Sequence, residues 1–150
     1  MRVFSSVKYP ALIYCGLALL LSCRSSGKKS DGGVRGSQAS YTLTAVGLSE
    51  AYAADPVAAD AKYKDRVIFV TGSVDHVETD LTGGYTVSLR CGSEWYDVLT
   101  CKFSKTQEAA LQRLTTGSYV RVKGRCSGRS PVLTIGECVL VDEKGSPLGG

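Results

Sequence analysis

The sequence predicts a mainly β domain, with five strands closed as a Greek-key barrel, one helix between the third and fourth, and short helices ahead of the first. Three observations predict it. From Arg66 onward the apolar residues recur with the two-residue period of half-buried strands, broken by Gly- and Pro-rich turns. One segment, 104–117, changes to helical spacing between the third and fourth of those strands. And 150 residues at 43% hydrophobic content suit one packed domain.

Each element has its own reason. Residues 41–64, YTLTAVGLSEAYAADPVAADAKYK, read as two short helices: Leu43, Val46, Leu48 and Tyr52 recur at helical spacing, Asp55 can cap the second helix, and Pro56 occupies a first-turn position where a missing N–H costs nothing. RVIFVTGSVDHVE, residues 66–78, is dense in β-branched and aromatic residues, with Gly72 placed to bend or bulge it. After the Gly83-Gly84 turn, Tyr85, Val87 and Leu89 alternate with Thr86, Ser88 and Arg90, giving a dry face and a wet one. EWYDVLTCKF, residues 94–103, reads as the third strand, following the turn at Gly92-Ser93. In SKTQEAALQRLTTG, Ser104 is the cap, Glu108 lies in the first turn, Ala110, Leu111 and Leu114 face inward, and Gly117 is the stop. SYVRVKGRC and VLTIGECVLV complete the set, joined by the turn SGRSP. An open α+β sheet of the same elements is the alternative architecture.

Before the domain comes a different kind of sequence. Residues 1–22 have two cations, Arg2 and Lys8, then an apolar run too short to span a bilayer comfortably, which is the layout of an export signal. LLSC, residues 20–23, resembles the lipobox of bacterial lipoprotein signals, which implies acylation of Cys23, with palmitate or a similar chain, and a lipid anchor in the membrane. Arg24 in place of Asp at the next position points to the outer membrane where a host has two. Residues 23–40 are rich in Ser, Gly and Lys and read as a flexible tether. The folded domain then spans 41–143 and a tail 144–150.

Charge bounds the partners. The whole chain carries +4, but residues 40–150 hold twelve basic and thirteen acidic residues, a net of −1. The charge is uneven along the chain: 102–129 carry seven cations and only Glu108, whereas 50–97 carry nine acids and four cations. On the fourth strand Tyr119, Arg121, Lys123 and Arg125 share one face, an aromatic followed by three cations. Such a stripe suits phosphates. The export signal and the absence of net positive charge argue against nucleic acid, whose non-specific affinity comes mostly from phosphate neutralisation.

Four cysteines remain after Cys15 and Cys23: Cys91, Cys101, Cys126 and Cys138. In an exported chain they read as two disulfides. A four-thiolate zinc site is the alternative, but the intervening stretches of nine, twenty-four and eleven residues contain no close pair of the zinc kind. No metal or cofactor is expected.

The stretch from AYAADPVAADAKYKDRVIFVTGSVDHVE through LRC and VLTCKF to VRVKGRCSG and LTIGECVLVD resembles a family of bacterial OB-fold proteins described as tRNA-anti-codon-binding-like, many of them assigned as lipoproteins. The resemblance covers about residues 43–142 and implies an OB-fold, with no catalytic residue. In that fold the third and fifth strands are parallel neighbours, which implies Cys101 beside Cys138, and leaves Cys91 with Cys126.

Three functions are open. An envelope-binding module would use the second and third strands and their loops, where OB-folds take oligosaccharides and oligonucleotides. Its candidates are Tyr96, Thr86 and Arg90 from the wet faces, Trp95 at the rim, and Arg125 and Arg129 from the last hairpin, with Arg121 and Lys123 on the stripe. The partner would be an envelope glycan, an anionic envelope component or a protein. Single-stranded nucleic acid is the alternative ligand. For an enzyme, the single histidine, His76, lies beside Asp75 and ahead of Glu78 and Asp80, but no nucleophile is designated and no calcium-loop spacing is present. The expectation is a non-catalytic binder.

Overall fold

The computed structural model describes residues 33–148. The expected signal and the acylation site Cys23 lie outside them, as do the first ten residues of the expected tether. Ten elements follow in order: β1 (Tyr41–Thr44), α1 (Ala45–Ala54), α2 (Pro56–Tyr63), β2 (Val67–Thr79), β3 (Tyr85–Arg90), β4 (Val98–Phe103), a 3-10 turn (Lys105–Gln107) running into α3 (Glu108–Leu111), β5 (Tyr119–Arg129) and β6 (Leu133–Val141).

The strands β2-β3-β4-β6-β5 close on themselves through β2 pairing with β5, which makes a five-stranded barrel of mixed direction. β4 and β6 run parallel, and every other pair in the barrel is antiparallel. This is the OB-fold expected from the strand order. One strand can serve two neighbours because β2 is long: its first half, from Val67 to Ser73, pairs with β5, and its second half, from Val74, pairs with β3. The change of partner comes at Gly72 and the irregularity between Val74 and His76. A Cβ on Gly72 would approach Ala45 Cβ to 3.0 Å, so the small residue lets α1 sit close to the bend.

The interior is filled by Ile68, Val70, Val74, Val87, Leu89, Leu99, Val122 and Ile135, all at most 1% exposed, with Leu48 and Tyr52 of α1 packed on the same cluster. α2 begins as expected: Asp55 Oδ1 accepts from the N–H groups of Val57 and Ala58, with Pro56 in the first turn.

Several readings need correction. Residues 41–44 are a strand parallel to the start of β2, because Tyr41 and Leu43 pack on the barrel while alternate residues face out. The helix of 104–117 is only four residues of α-helix after a 3-10 turn; Leu114 N–H bonds back to Leu111 O, tightening the chain before Thr115 and Thr116, while Leu111 plugs the core and Ala110 and Leu114 pack against it as expected. The part of the expected tether that is described, 33–40, is docked: Val34 is 3% exposed. The described part of the tail also folds back, with Leu148 N–H bonded to Leu140 O and Pro147 bridged to Val141.

The cysteines are in the thiol form. All four are buried free thiols in this structure, and neither expected disulfide is formed. Cys101 and Cys138 lie on the adjacent parallel strands β4 and β6, close enough for Cys101 to help raise the Cys138 thiol, and Cys138 Sγ donates to Ile135 O at 3.3 Å. Cys126 instead meets Tyr52 Oη at 3.6 Å, and Cys91 donates to Ala45 O at 3.4 Å. Burial pushes the Cys138 thiol well up and the Cys91 thiol to about 11, so both pack as small apolar groups.

Candidate functional site

The strand register builds a polar row across four strands. His76 of β2 lies opposite Ser88 of β3, Ser88 opposite Thr100 of β4, and Thr100 opposite Thr134 of β6. A second row runs Glu78, Thr86, Lys102. The pleat explains both: Val87, Leu89, Leu99 and Cys101 take the inward positions, so their neighbours must face out. His76 Nδ1 donates to Asp75 Oδ2 at 2.9 Å, leaving Nε2 to accept from Ser88 Oγ at 3.3 Å, with Glu78 Oε1 at 3.5 Å. Arg90 closes the network as an ion pair with Asp75. Hydrogen bonds from His76 and then Arg90 hold the Asp75 carboxyl below its usual range.

Asp75, His76 and Ser88 therefore form a hydrogen-bonded chain. For acyl transfer it would also need donors aimed at a developing oxyanion. Ser88 lies mid-strand between β2 and β4, where the backbone is committed to the two ladders, and the residue is 4% exposed. The chain is a rigid, hydrogen-bonded row on the outer wall of the barrel.

Above one end of this face stands the loop between β3 and β4. It is closed at its base by Cys91 N–H to Asp97 O at 2.8 Å, with Asp97 N–H bonded to Glu94 O. Gly92 permits the closure, since a Cβ there would come within 2.0 Å of Asp97 Oδ2. The loop presents Trp95 and Tyr96 to solvent, 85% and 65% exposed, packed edge to face with ring centroids 5.6 Å apart. The expected third strand thus begins four residues late, at Val98, and the aromatics are neither strand nor rim residues but the tip of a loop. Arg129, exposed at the end of β5, belongs to the neighbouring hairpin, and its charge reaches Cys91 at the loop base.

The stripe on β5 has a different fate. Phe69 of β2 lies opposite Lys123, and the Arg121 guanidinium stacks on its ring at 4.4 Å. Arg121 also donates to Glu143 O, Lys123 Nζ to Arg35 O at 3.1 Å, and Arg125 to Asp65 O at 3.0 Å. Arg125 further approaches Glu137 at 3.6 Å. Lys123 is only 8% exposed, so of the four only Tyr119 stands clear in solvent. The charge segregation along the sequence is also lost in space, because β5 pairs with β2 and Arg125 comes to lie beside Asp65.

The structure thus pairs Trp95 with Tyr96, leaves Arg129 exposed at the end of β5, ties Arg90 to Asp75, and holds Arg121, Lys123 and Arg125 in structural contacts. Sequence reasoning missed Thr100 and Thr134, whose signal was present in the alternation of VLTCKF and VLTIGECV; only the parallel pairing of β4 and β6 aligns them. Among the described residues no group of three or more His, Cys, Asp or Glu side chains is placed to hold a metal ion, and no helix is long and apolar enough to cross a membrane.

Comparison with known proteins agrees with the fold. The profile of the tRNA_anti-like family matches residues 5–143. Among solved structures, a Klebsiella pneumoniae protein named as a candidate nucleic acid-binding lipoprotein is similar, with a TM-score of 0.54 at 20% identity, over 67% of this chain and 91% of that one. A search of curated proteins gave no match.

Proposed function

This chain belongs to the tRNA_anti-like family, and we propose that it is a lipid-anchored, non-catalytic binding module of the bacterial envelope whose ligand is an oligosaccharide. The observation that carries the reading is the Trp95–Tyr96 pair, held in solvent on the loop that joins β3 to β4, the two strands whose outer faces carry Ser88 and Thr100 of the polar row. A sugar ring offers an apolar face to an aromatic plane and hydroxyls to side chains such as Thr100 and Thr134. The signal layout and LLSC at residues 20–23 support the anchor. The same compartment would let a thiol–disulfide oxidant take two electrons and two protons from Cys101 and Cys138, joining β4 to β6.

Calorimetric titration of the full chain carrying Cys23→Ser, which removes the acylation site, tests the ligand. A neutral hexasaccharide of N-acetylglucosamine is expected to bind saturably and to lose tenfold or more affinity in Trp95→Ala. Binding unchanged by Trp95→Ala would overturn the reading. A second reading is single-stranded nucleic acid, favoured by two exposed, stackable aromatics, by the exposed Arg129 and by the description of the Klebsiella protein. A thymidine decamer bound with steep salt dependence, weakened by Arg129→Ala, would establish it instead.

A further inference from the structure

Away from the aromatic loop, the short α3 leaves a groove between itself, the start of β5 and the end of β6. Its volume is about 460 Å³, within the range of about 300–1,000 Å³ usual for small-molecule sites. The floor is apolar: Ala110, Leu114, Val120, Leu140 and Val141, with Leu148 of the returning tail along one side. Its charged residues are Arg113 and Arg121, and no carboxylate lines it. Arg113 is exposed, and Tyr119 brings a phenol to the same mouth at 71% exposure.

One further feature points to a ligand. Arg121 Nε is a buried side-chain donor without a hydrogen-bond partner, while the same guanidinium is committed to Phe69 and Glu143 O. A buried donor left unpaired is costly. An anion at the groove's cationic rim would compensate it by field and, with a small shift of the side chain, by a hydrogen bond.

From the apolar floor, the two guanidiniums and the absence of acid, we propose that this groove is a second binding site, for a soluble single-chain amphiphile with one anionic head, a long-chain carboxylate. The acyl chain lies against Leu114, Val120 and Leu140, and the carboxylate meets Arg113 and Arg121 at the mouth. The proposal does not rest on the oligosaccharide reading, which concerns other residues.

The test is calorimetric titration of the full chain with Cys23→Ser, using laurate below its micelle concentration and dodecyltrimethylammonium as the homologue of opposite charge. Saturable one-to-one binding of laurate is expected, with no saturable binding of the cation. Arg113→Glu, an exposed change that leaves the thermal midpoint in place, is expected to weaken laurate at least tenfold. Ala110→Trp, which fills the floor, is expected to do the same. No saturable laurate binding would overturn the proposal, as would equal affinity for the cationic homologue or laurate affinity unchanged by Arg113→Glu.

Discussion

The β5 stripe and the β3–β4 loop both combine aromatic and charged residues, and they end in opposite states. On the stripe, Arg121, Lys123 and Arg125 each donate to a backbone carbonyl, of Glu143, Arg35 and Asp65 in turn, and Phe69 supplies the ring beneath Arg121 and Lys123. On the loop, Trp95 and Tyr96 touch each other and solvent. The stripe clamps the chain's own N- and C-terminal segments to the barrel wall, whereas the loop leaves its aromatics in solvent. A row of cations in a strand is therefore evidence for a binding face only after its hydrogen bonds have been counted.

Removing the ring under the stripe should have the largest effect. Phe69→Ala is expected to cost about 2–3 kcal/mol of stability, below the range for a fully buried phenylalanine because this one is half-buried, and to leave oligosaccharide affinity unchanged. Chemical denaturation read by far-UV dichroism measures it. On the loop the signs reverse: Trp95→Ala with Tyr96→Ala should lose at least tenfold in affinity, about 1.4 kcal/mol, with the denaturation midpoint unmoved. Arg121→Ala with Lys123→Ala should cost about 1–2 kcal/mol of stability through lost hydrogen bonds and stem packing, and less than twofold in affinity. A larger loss of affinity there would erase the distinction between the two regions.

The smallest effect concerns acid. Asp75 is held below its usual range by His76 and Arg90, and Asp80 by Thr82 and Gly84, so both bind protons less readily folded than unfolded. Their contribution to stability is complete above the unfolded value of about 3.9 and is lost as pH falls through the lower folded values. The midpoint in urea should accordingly drop below about pH 4, and by less in Asp75→Asn.

Much of the barrel was legible because its signals are local. Alternation in YTVSLR and the Asp55-Pro56 cap each follow from residues within a few positions of one another, and the irregularity of β2 falls two to four residues past the expected Gly72. What was not legible depends on distant partners. Tyr41–Thr44 is a strand only because β2 offers a parallel edge. Trp95 carries no sequence mark of exposure; that comes from Asp97 folding back on Cys91 to shorten β4. The stripe's periodicity was read correctly, but its meaning lay in carbonyls at 35, 65 and 143.

The most direct measurement is the set of backbone amide shifts of the nitrogen-15-labelled full chain with Cys23→Ser on titration with the N-acetylglucosamine hexamer. Saturable shifts centred on Trp95, Tyr96, Ser88, Thr100 and Thr134, with Arg121 to Arg125 unmoved, are the predicted result. Shifts centred on Arg121 to Arg125, with the loop unmoved, would contradict the account.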